Sequence, residues 1–240
     1  MIAITGDTHG EVLRFFTLPV RLGRGDTLIV AGDFGCLFDP QGRDEAKLEQ
    51  LSTLPYTILF LDGNHECFPR IYSCPEETFC GGRVHRVRDN ILHLMRGQVY
   101  DMEGISFFTM GGGYSIDKMY RIPGRSWWPE EMPSQEEYAL GRRMLARRGG
   151  RVDFIISHAA PASVMAHLVK SGVFQTSFPQ EAPLHAYLQE VEEHTRYKRH
   201  YFGHLHMDGV MPGGQVALYR DCYDLLTGER LGGKGENGAS

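Results

Sequence analysis

Four short, almost wholly apolar runs recur along the chain and constrain its fold more than any other feature. They are MIAIT at 1–5, TLIVA at 27–31, TILFL at 57–61 and VDFII at 152–156. Strands that are covered on both faces have such continuous apolar sequences, whereas half-exposed strands alternate. Segments of helical character at 11–18 and 43–54 separate the first three runs. This alternation of strand and helix predicts an α/β architecture.

The length and composition fit one globular domain. A chain of 240 residues can bury a full core, and 42 % hydrophobic with 23 % charged residues is ordinary for such a protein. We expect a single domain over 1–230, with a loop or cap region at 111–148 that faces the substrate. The segment 231–240 is small and polar, and we expect it to be a flexible tail.

Several signals bear on the compartment and on partners. The chain begins directly with a strand-like run, without the pattern of a signal peptide, and it has no apolar stretch of about 18 residues that could cross a membrane. Its five cysteines lack C-x-x-C spacing, which favours free thiols. We therefore expect a cytoplasmic protein without a membrane partner. The net charge of −5 gives no support to an obligate nucleic-acid partner, and the sequence does not indicate an oligomeric state.

Polar residues follow the apolar runs, at the point where each predicted strand ends. A fifth such position follows the aromatic run RHYF at 199–202. The five segments are Gly6-Asp7-Thr8-His9, Gly32-Asp33, Asp62-Gly63-Asn64-His65-Glu66, Ser157-His158 and Gly203-His204-Leu205-His206. Taken singly, each is as readily a helix cap or a turn. Because ligand sites of α/β sheets form at the carboxyl ends of strands, the five together predict one site at this rim.

The donor types in these segments indicate a metal site. Carboxylate, imidazole and amide oxygen are ligands for divalent manganese, iron, zinc, nickel or magnesium. Seven such donors, one or two from each segment, exceed the needs of one tetrahedral zinc ion. Two ions that share one carboxylate would use all seven. Paired metal ions hold a phosphoryl group and lower the pKa of a water molecule between them. Phosphoester hydrolysis is the reaction that fits this ligand set.

The motifs resemble those of the calcineurin-like metallophosphoesterases. That family carries D-x-H, G-D-x-x-D, G-N-H-[DE], a lone H and G-H-x-H, and this chain has GDTHG, GDFGC, GNHE, SHAAP and GHLH in the same order. The blocks span residues 7–206. The resemblance implies a four-layer αββα sandwich of two mixed β-sheets flanked by helices, with a dimetal site at the carboxyl rim of the strands.

The resemblance also implies roles for particular residues. Asp7, His9 and His206 would bind one metal ion, Asn64, His158 and His204 the other, and Asp33 would bridge them. His65 would be the catalytic histidine that protonates the leaving alkoxide. Manganese is the ion we expect, with iron, zinc, nickel or magnesium as alternatives.

The chain departs from the family pattern at one position. Cys36 stands where the second Asp of G-D-x-x-D can orient the catalytic histidine, and a thiol cannot replace that carboxylate. Glu66 or Asp39 are candidates to take over this task. We count His65, Asp33 and Glu66 as candidate catalytic residues.

A long loop at 111–131 supplies candidate substrate contacts. Arg121 and Arg125 suit a phosphate group by bidentate contact. Trp127 and Trp128 either anchor the loop or stack on a substrate. The SQEE sequence at 134–137 predicts a capping box that starts a helix.

The function that we predict is metal-dependent hydrolysis of a phosphomonoester or phosphodiester, so that the partner is a phosphorylated substrate. A nuclease acting on DNA or RNA ends is an alternative within the same chemistry. A non-catalytic scaffold of the same fold is another, and it would purify with far fewer than two metal ions per chain.

Overall fold

The structure is a computed structural model that describes residues 1–174 and 178–232. Most of the predicted tail, residues 233–240, lies outside the described residues, while Leu231 at its start belongs to a strand. The described residues form two β-sheets and six α-helices. The strands are β1 (Ile2–Thr5), β2 (Thr27–Val30), β3 (Thr57–Phe60), β4 (Glu76–Phe79), β5 (Gly82–Arg88), β6 (Ile91–Leu94), β7 (Gln98–Met102), β8 (Ile105–Met110), β9 (Phe154–Ser157), β10 (Arg199–Phe202), β11 (Gly209–Val210), β12 (Val216–Ala217), β13 (Cys222–Asp224) and β14 (Arg230–Leu231). The helices are α1 (Val12–Phe16), α2 (Glu45–Ser52), α3 (Phe68–Tyr72), α4 (Gln135–Arg147), α5 (Ala162–Lys170) and α6 (Ala182–His194).

Both sheets are mixed. The first has the order β14-β13-β1-β2-β3-β6-β5-β4, in which β1, β2, β3 and β6 are parallel and the strands outside them are antiparallel. The second has the order β11-β12-β10-β9-β8-β7, with a parallel centre from β12 to β8. The predicted strand runs are therefore the central parallel strands of two sheets.

Apolar packing joins the sheets and their helices into four layers. Between the sheets, Ile4 and Leu59 of the first lie in one buried cluster with Phe107 and Tyr201 of the second. The outer face of the first sheet packs on α1 and α2, and that of the second on α4, α5 and α6. Because each central strand is covered on both sides, its residues are apolar without alternation. The predicted αββα sandwich is confirmed.

Between residues 81 and 131, the short runs VHRV, ILHLM, QVYDM and ISFFTM predict strands of a more antiparallel sheet. The strands are present, but they do not form a sheet of their own. The hairpin of β5 and β6 extends the first sheet beside β3, and that of β7 and β8 extends the second beside β9. Local sequence indicated the hairpins, whereas their partners lie far away along the chain.

The cysteines, the start of α4 and the length of the helices were also predicted from the sequence. All five cysteines are free thiols. Ser134 and Glu137 form the predicted capping box at the start of α4. Among the described residues, every helix is too short or too polar to span a membrane. The cytoplasmic location stays a prediction.

Candidate metal centre

The loops after β1, β2, β3, β9 and β10 meet at the rim between the two sheets. The His9 N–H donates to the Asp33 carbonyl oxygen (2.8 Å), and the His65 N–H donates to Asp33 Oδ1 (2.9 Å). Across the sheets, the His204 N–H donates to the carboxylate of Asp7 (3.0 Å). These bonds fix loops from both sheets against each other, and the side chains of all seven predicted ligands converge there.

The first group of donors consists of Asp7, His9, Asp33 and His206. One potential ligand atom from each lies within 4.8 Å of all the others. The Nε2 atoms of His9 and His206 face each other at 2.8 Å. His206 is half exposed, so this group lies on the solvent side of the site.

The second group consists of Asn64, His158 and His204, with Asp33 shared. Asp33 Oδ1 lies 3.4 Å from His158 Nε2, whereas its Oδ2 lies 3.8 Å from His9 Nε2 in the first group. His204 Nδ1 is 3.2 Å from His158 Nε2. The two carboxylate oxygens of Asp33 therefore face different groups, as a bridging ligand requires.

The free donor atoms of the second group fit a cation. Asn64 Oδ1 is buried and has no hydrogen-bond partner in the described part of the chain, although its amide nitrogen donates to Ser115 Oγ (3.3 Å). His158 Nδ1 donates to the Ala31 carbonyl oxygen (3.0 Å), so its Nε2 is the atom that faces Asp33 and His204. A buried acceptor without a partner is costly, and a metal ion would satisfy it.

Electrostatics also favours a cation. Asp7 and Asp33 are both 1 % exposed, and within residues 1–174 and 178–232 neither carboxylate is ion-paired with a lysine or arginine. Burial raises the pKa of Asp33 to about 6, and burial together with the charge of Asp33 raises the pKa of Asp7 well above its usual range. Burying two carboxylates this close together is unfavourable unless positive charge accompanies them.

Four of the candidate ligands have left-handed backbone. The φ angles are +47° at His9, +50° at Asp33, +67° at His204 and +49° at His206. This region is uncommon for residues other than glycine, and such strain concentrates at functional sites. These left-handed conformations lie at the strand ends, where the donor side chains meet at the rim.

Gly63 makes the close approach of the loops possible. A Cβ atom at this position would overlap with Asp33 Oδ1 and lie 2.6 Å from His158 Nε2. The glycine before Asn64 is therefore required because two donor side chains pack directly against its backbone.

Two buried glutamates that the sequence analysis missed hold ligands of the second group. His204 Nε2 lies 3.0 Å from Glu181 Oε1, and although burial opposes it, Glu181 raises the pKa of His204 to about 9. Glu131, fully buried, accepts hydrogen bonds from the backbone N–H and the hydroxyl of Ser115, the partner of Asn64. Carboxylates behind metal ligands fix ligand orientation. Neither glutamate stands in a recognisable motif, so no local signal identified them.

Arg121 and His65 lie side by side at the edge of the donor groups. Arg121 Nη2 donates to His65 Nε2 (3.2 Å), and Arg121 Nε forms an ion pair with Asp117 (2.6 Å). Burial and the Arg121 charge lower the pKa of His65 to about 3. His65 is therefore neutral, with Nε2 as an acceptor.

The carboxylate expected to replace the missing family aspartate does not lie beside His65. Glu66 is fully buried and accepts hydrogen bonds from the Gly35 and Gly63 N–H groups (3.1 and 2.6 Å), which ties the loops after β2 and β3 together. Asp39 is paired with Arg43. Burial raises the pKa of the Cys36 thiol to about 12. Arg121, held by Asp117, is the residue that contacts the His65 ring.

The loop at 111–131 brings only one of its two candidate arginines to the site. Arg125 is exposed and lies outside the clefts that border His65.

Trp128 is buried against Phe38, Cys67 and Phe68, as expected of a residue that anchors the loop. Within the predicted cap region 111–148, the loop lines the site and α4 packs on the second sheet. The domain boundaries stay predictions.

A four-layer α/β fold with these donors at the rim between its sheets defines a protein that binds divalent metal ions. A family model described as calcineurin-like phosphoesterase matches residues 1–208. Because the match covers most of the chain and all five motifs, the chain belongs to the calcineurin-like phosphoesterase family. Members of this family are in general metal-dependent phosphoesterases. A search of curated proteins finds no match.

Proposed function

We propose that the protein hydrolyses phosphomonoesters or phosphodiesters with two divalent metal ions, of which manganese is our first choice. One observation supports this most strongly. Two donor groups share Asp33, and both border the cleft that contains His65 and Arg121. The first ion would be held by Asp7, His9, Asp33 and His206, and the second by Asp33, Asn64, His158 and His204.

The bound ions would supply charge neutralisation at the phosphoryl oxygens and a water molecule of lowered pKa. Arg121 binds the phosphoryl group, because a guanidinium matches two phosphate oxygens at once. Its ion pair with Asp117 keeps it directed toward His65. The chain thereby places a fixed positive charge beside the reacting phosphorus.

His65 supplies the proton for the leaving alkoxide. In the free site Arg121 occupies its Nε2 atom and helps to lower its pKa. A phosphoryl group that draws the guanidinium to itself frees Nε2 and adds negative charge, and both changes raise the pKa of His65. Protonated in this way, His65 lies within reach of the departing oxygen, as a general acid must.

Hydrolysis of an aryl phosphate and of its methyl diester by manganese-loaded protein tests the proposal. Arg121→Met is expected to lower kcat/KM by about two orders of magnitude, since it removes a charged contact to the phosphoryl group. Arg125→Met is the matched control, because that arginine belongs to the same loop and lies outside the site; it is expected to match the wild type. Asp33→Asn is expected to abolish turnover with the fold intact.

The alternatives give different results in the same assay. A scaffold would hydrolyse neither ester. A nuclease would cleave oligonucleotides far faster than either ester, and competitor nucleic acid would inhibit it. Equal loss in Arg121→Met and Arg125→Met would contradict the role of Arg121.

A further inference from the structure

The metal centre opens into a cleft whose far side is apolar. This apolar cleft has a volume of about 350 Å³. On one side it is bordered by Asn64, His204, His65 and Arg121. The rest of its lining includes the apolar side chains of Ile116, Met165, Phe174, Phe178 and Leu205.

The apolar side is continuous with packed core. Met165, on α5, is 7 % exposed, and Phe174 and Leu205 pack against the same buried cluster beneath the second sheet. Ile116, on the loop opposite, is 59 % exposed. Largely fixed apolar walls beside convergent polar groups are typical of small-molecule sites. Metal-ligand candidates border the cleft. A group bound in the cleft would therefore lie next to the phosphoryl group that reacts.

The charges around the cleft restrict its occupant further. Among the described residues, Arg121 is the one lysine or arginine that lines it, and its guanidinium contacts His65. Asp117 and Glu181 also line the cleft, and they are engaged with Arg121 and His204. An anionic group in the apolar cleft would therefore meet carboxylates and apolar carbon without a cation of its own.

A second cleft also borders His65, and four of its lining residues are charged. It is about 330 Å³ in volume, and Arg43, Lys47, Asp39 and Asp44 contribute to its lining. This polar cleft reaches His9 and His65, but its lining includes neither Arg121 nor the ligands of the second donor group. It therefore offers the alternative place for a polar substituent.

We propose that the apolar cleft binds the alcohol portion of the phosphoester, and that this portion is an uncharged apolar or aromatic group. The inference rests on the proposed function and names the substrate class for the same site. Burial of that group against Ile116, Met165 and Phe178 contributes binding free energy that a hydrophilic alcohol of similar length does not gain.

Paired substrates test this proposal on the full-length, manganese-loaded protein. One is 2-phenylethyl phosphate and the other is glycerol 1-phosphate, each also prepared as its methyl diester. Wild-type kcat/KM is expected to be at least about tenfold higher for the phenylethyl member. Ile116→Ser and Phe178→Ser are each expected to lower this ratio several-fold. Leu13→Ser, at an apolar residue 71 % exposed and outside both clefts, is the matched control that keeps the wild-type ratio.

Each outcome decides a different claim. Turnover of both substrates with equal kcat/KM, or a preference for the glycerol ester, overturns the assignment of the cleft and leaves the proposed function standing. A phenylethyl preference that neither Ile116→Ser nor Phe178→Ser reduces also overturns it, because the preference then arises elsewhere. If neither substrate turns over in either form, the proposed function fails, and this inference fails with it.

Discussion

Glu181 determines which nitrogen atom of His204 is available as a ligand. Its carboxylate lies 3.0 Å from Nε2 and also accepts the Tyr114 N–H (2.9 Å), so it is held in place. With Nε2 occupied by this hydrogen bond, Nδ1 remains to face His158 and the second donor group. The glutamate is thus a positioning residue one contact away from the metal site.

Glu181→Gln is therefore expected to weaken binding of one manganese ion by about 10- to 100-fold, since an amide holds the imidazole less strongly than a carboxylate does. Isothermal titration calorimetry of metal-free protein measures this directly. Glu193→Gln, at an exposed glutamate of α6, the helix that begins directly after Glu181, is the matched control. Unchanged manganese affinity in Glu181→Gln would show that the contact does not position the ligand.

His206 is a candidate ligand whose backbone lies in the left-handed region. Its φ angle is +49°, its side chain is half exposed, and its ring stacks on Tyr219. A residue with a Cβ atom at positive φ costs about 1 to 2 kcal/mol relative to glycine. The strained residue is one whose imidazole belongs to the first donor group.

Metal-free His206→Gly is accordingly expected to exceed His206→Ala in free energy of unfolding by about 1 kcal/mol. Both variants lose the same imidazole, so the difference isolates the backbone. Urea unfolding measures it. If the alanine variant were as stable as the glycine variant, the left-handed backbone would not be a constraint of the fold.

At the scale of elements, a buried histidine pair links β5 to β6 and contacts Asp62, which follows β3. His85 Nδ1 and His93 Nδ1 lie 3.0 Å apart, so one donates to the other, and His93 Nε2 contacts Asp62 (3.0 Å). Burial and the neighbouring His93 lower the pKa of His85 from 6.5 to about 4. Burial therefore keeps His85 neutral in the folded protein at pH values above about 4.

This pair predicts a pH dependence of stability. Between pH 6.5 and about pH 4 the unfolded chain binds a proton at His85 that the folded protein does not, so the free energy of unfolding falls as the pH falls, by up to about 1.4 kcal/mol per pH unit. Urea unfolding across this range is expected to show a smaller fall for His85→Gln than for the wild type. His167→Gln, at an exposed histidine, controls for the substitution. Parallel curves for wild type and His85→Gln would contradict the assignment.

The elements also show what sequence could and could not predict. Continuous apolar runs identified β1, β2, β3 and β9 within one or two residues, because strands buried on both faces leave little choice of side chain. Short runs separated by Gly, Asp or Asn likewise indicated strands between residues 81 and 131, but not the sheets to which those strands belong. Pairing of β6 with β3 and of β8 with β9 depends on contacts between residues that are distant in sequence, and a local sequence pattern does not predict such contacts.

At the scale of the molecule, the site is assembled from both sheets. Asp7, Asp33 and Asn64 follow strands of the first, and His158, His204 and His206 follow strands of the second. Ligands at strand ends could be predicted because their motifs are short and fixed in spacing. Glu131, Glu181 and Ser115 could not, since each acts through a contact that only the folded chain creates. Cys36 was noticed as a departure, but the partner that contacts His65 instead, Arg121, lies in a distant loop.

The central claim is that these residues form a centre for two metal ions that share Asp33. Elemental analysis of manganese-reconstituted protein after removal of free ions tests it most directly. The account predicts two ions per chain in the wild type, and about one in each of His204→Ala and His206→Ala, because the two histidines belong to different donor groups. One ion or none in the wild type would contradict it. So would His204→Ala and His206→Ala variants that each retain two ions or that each retain none.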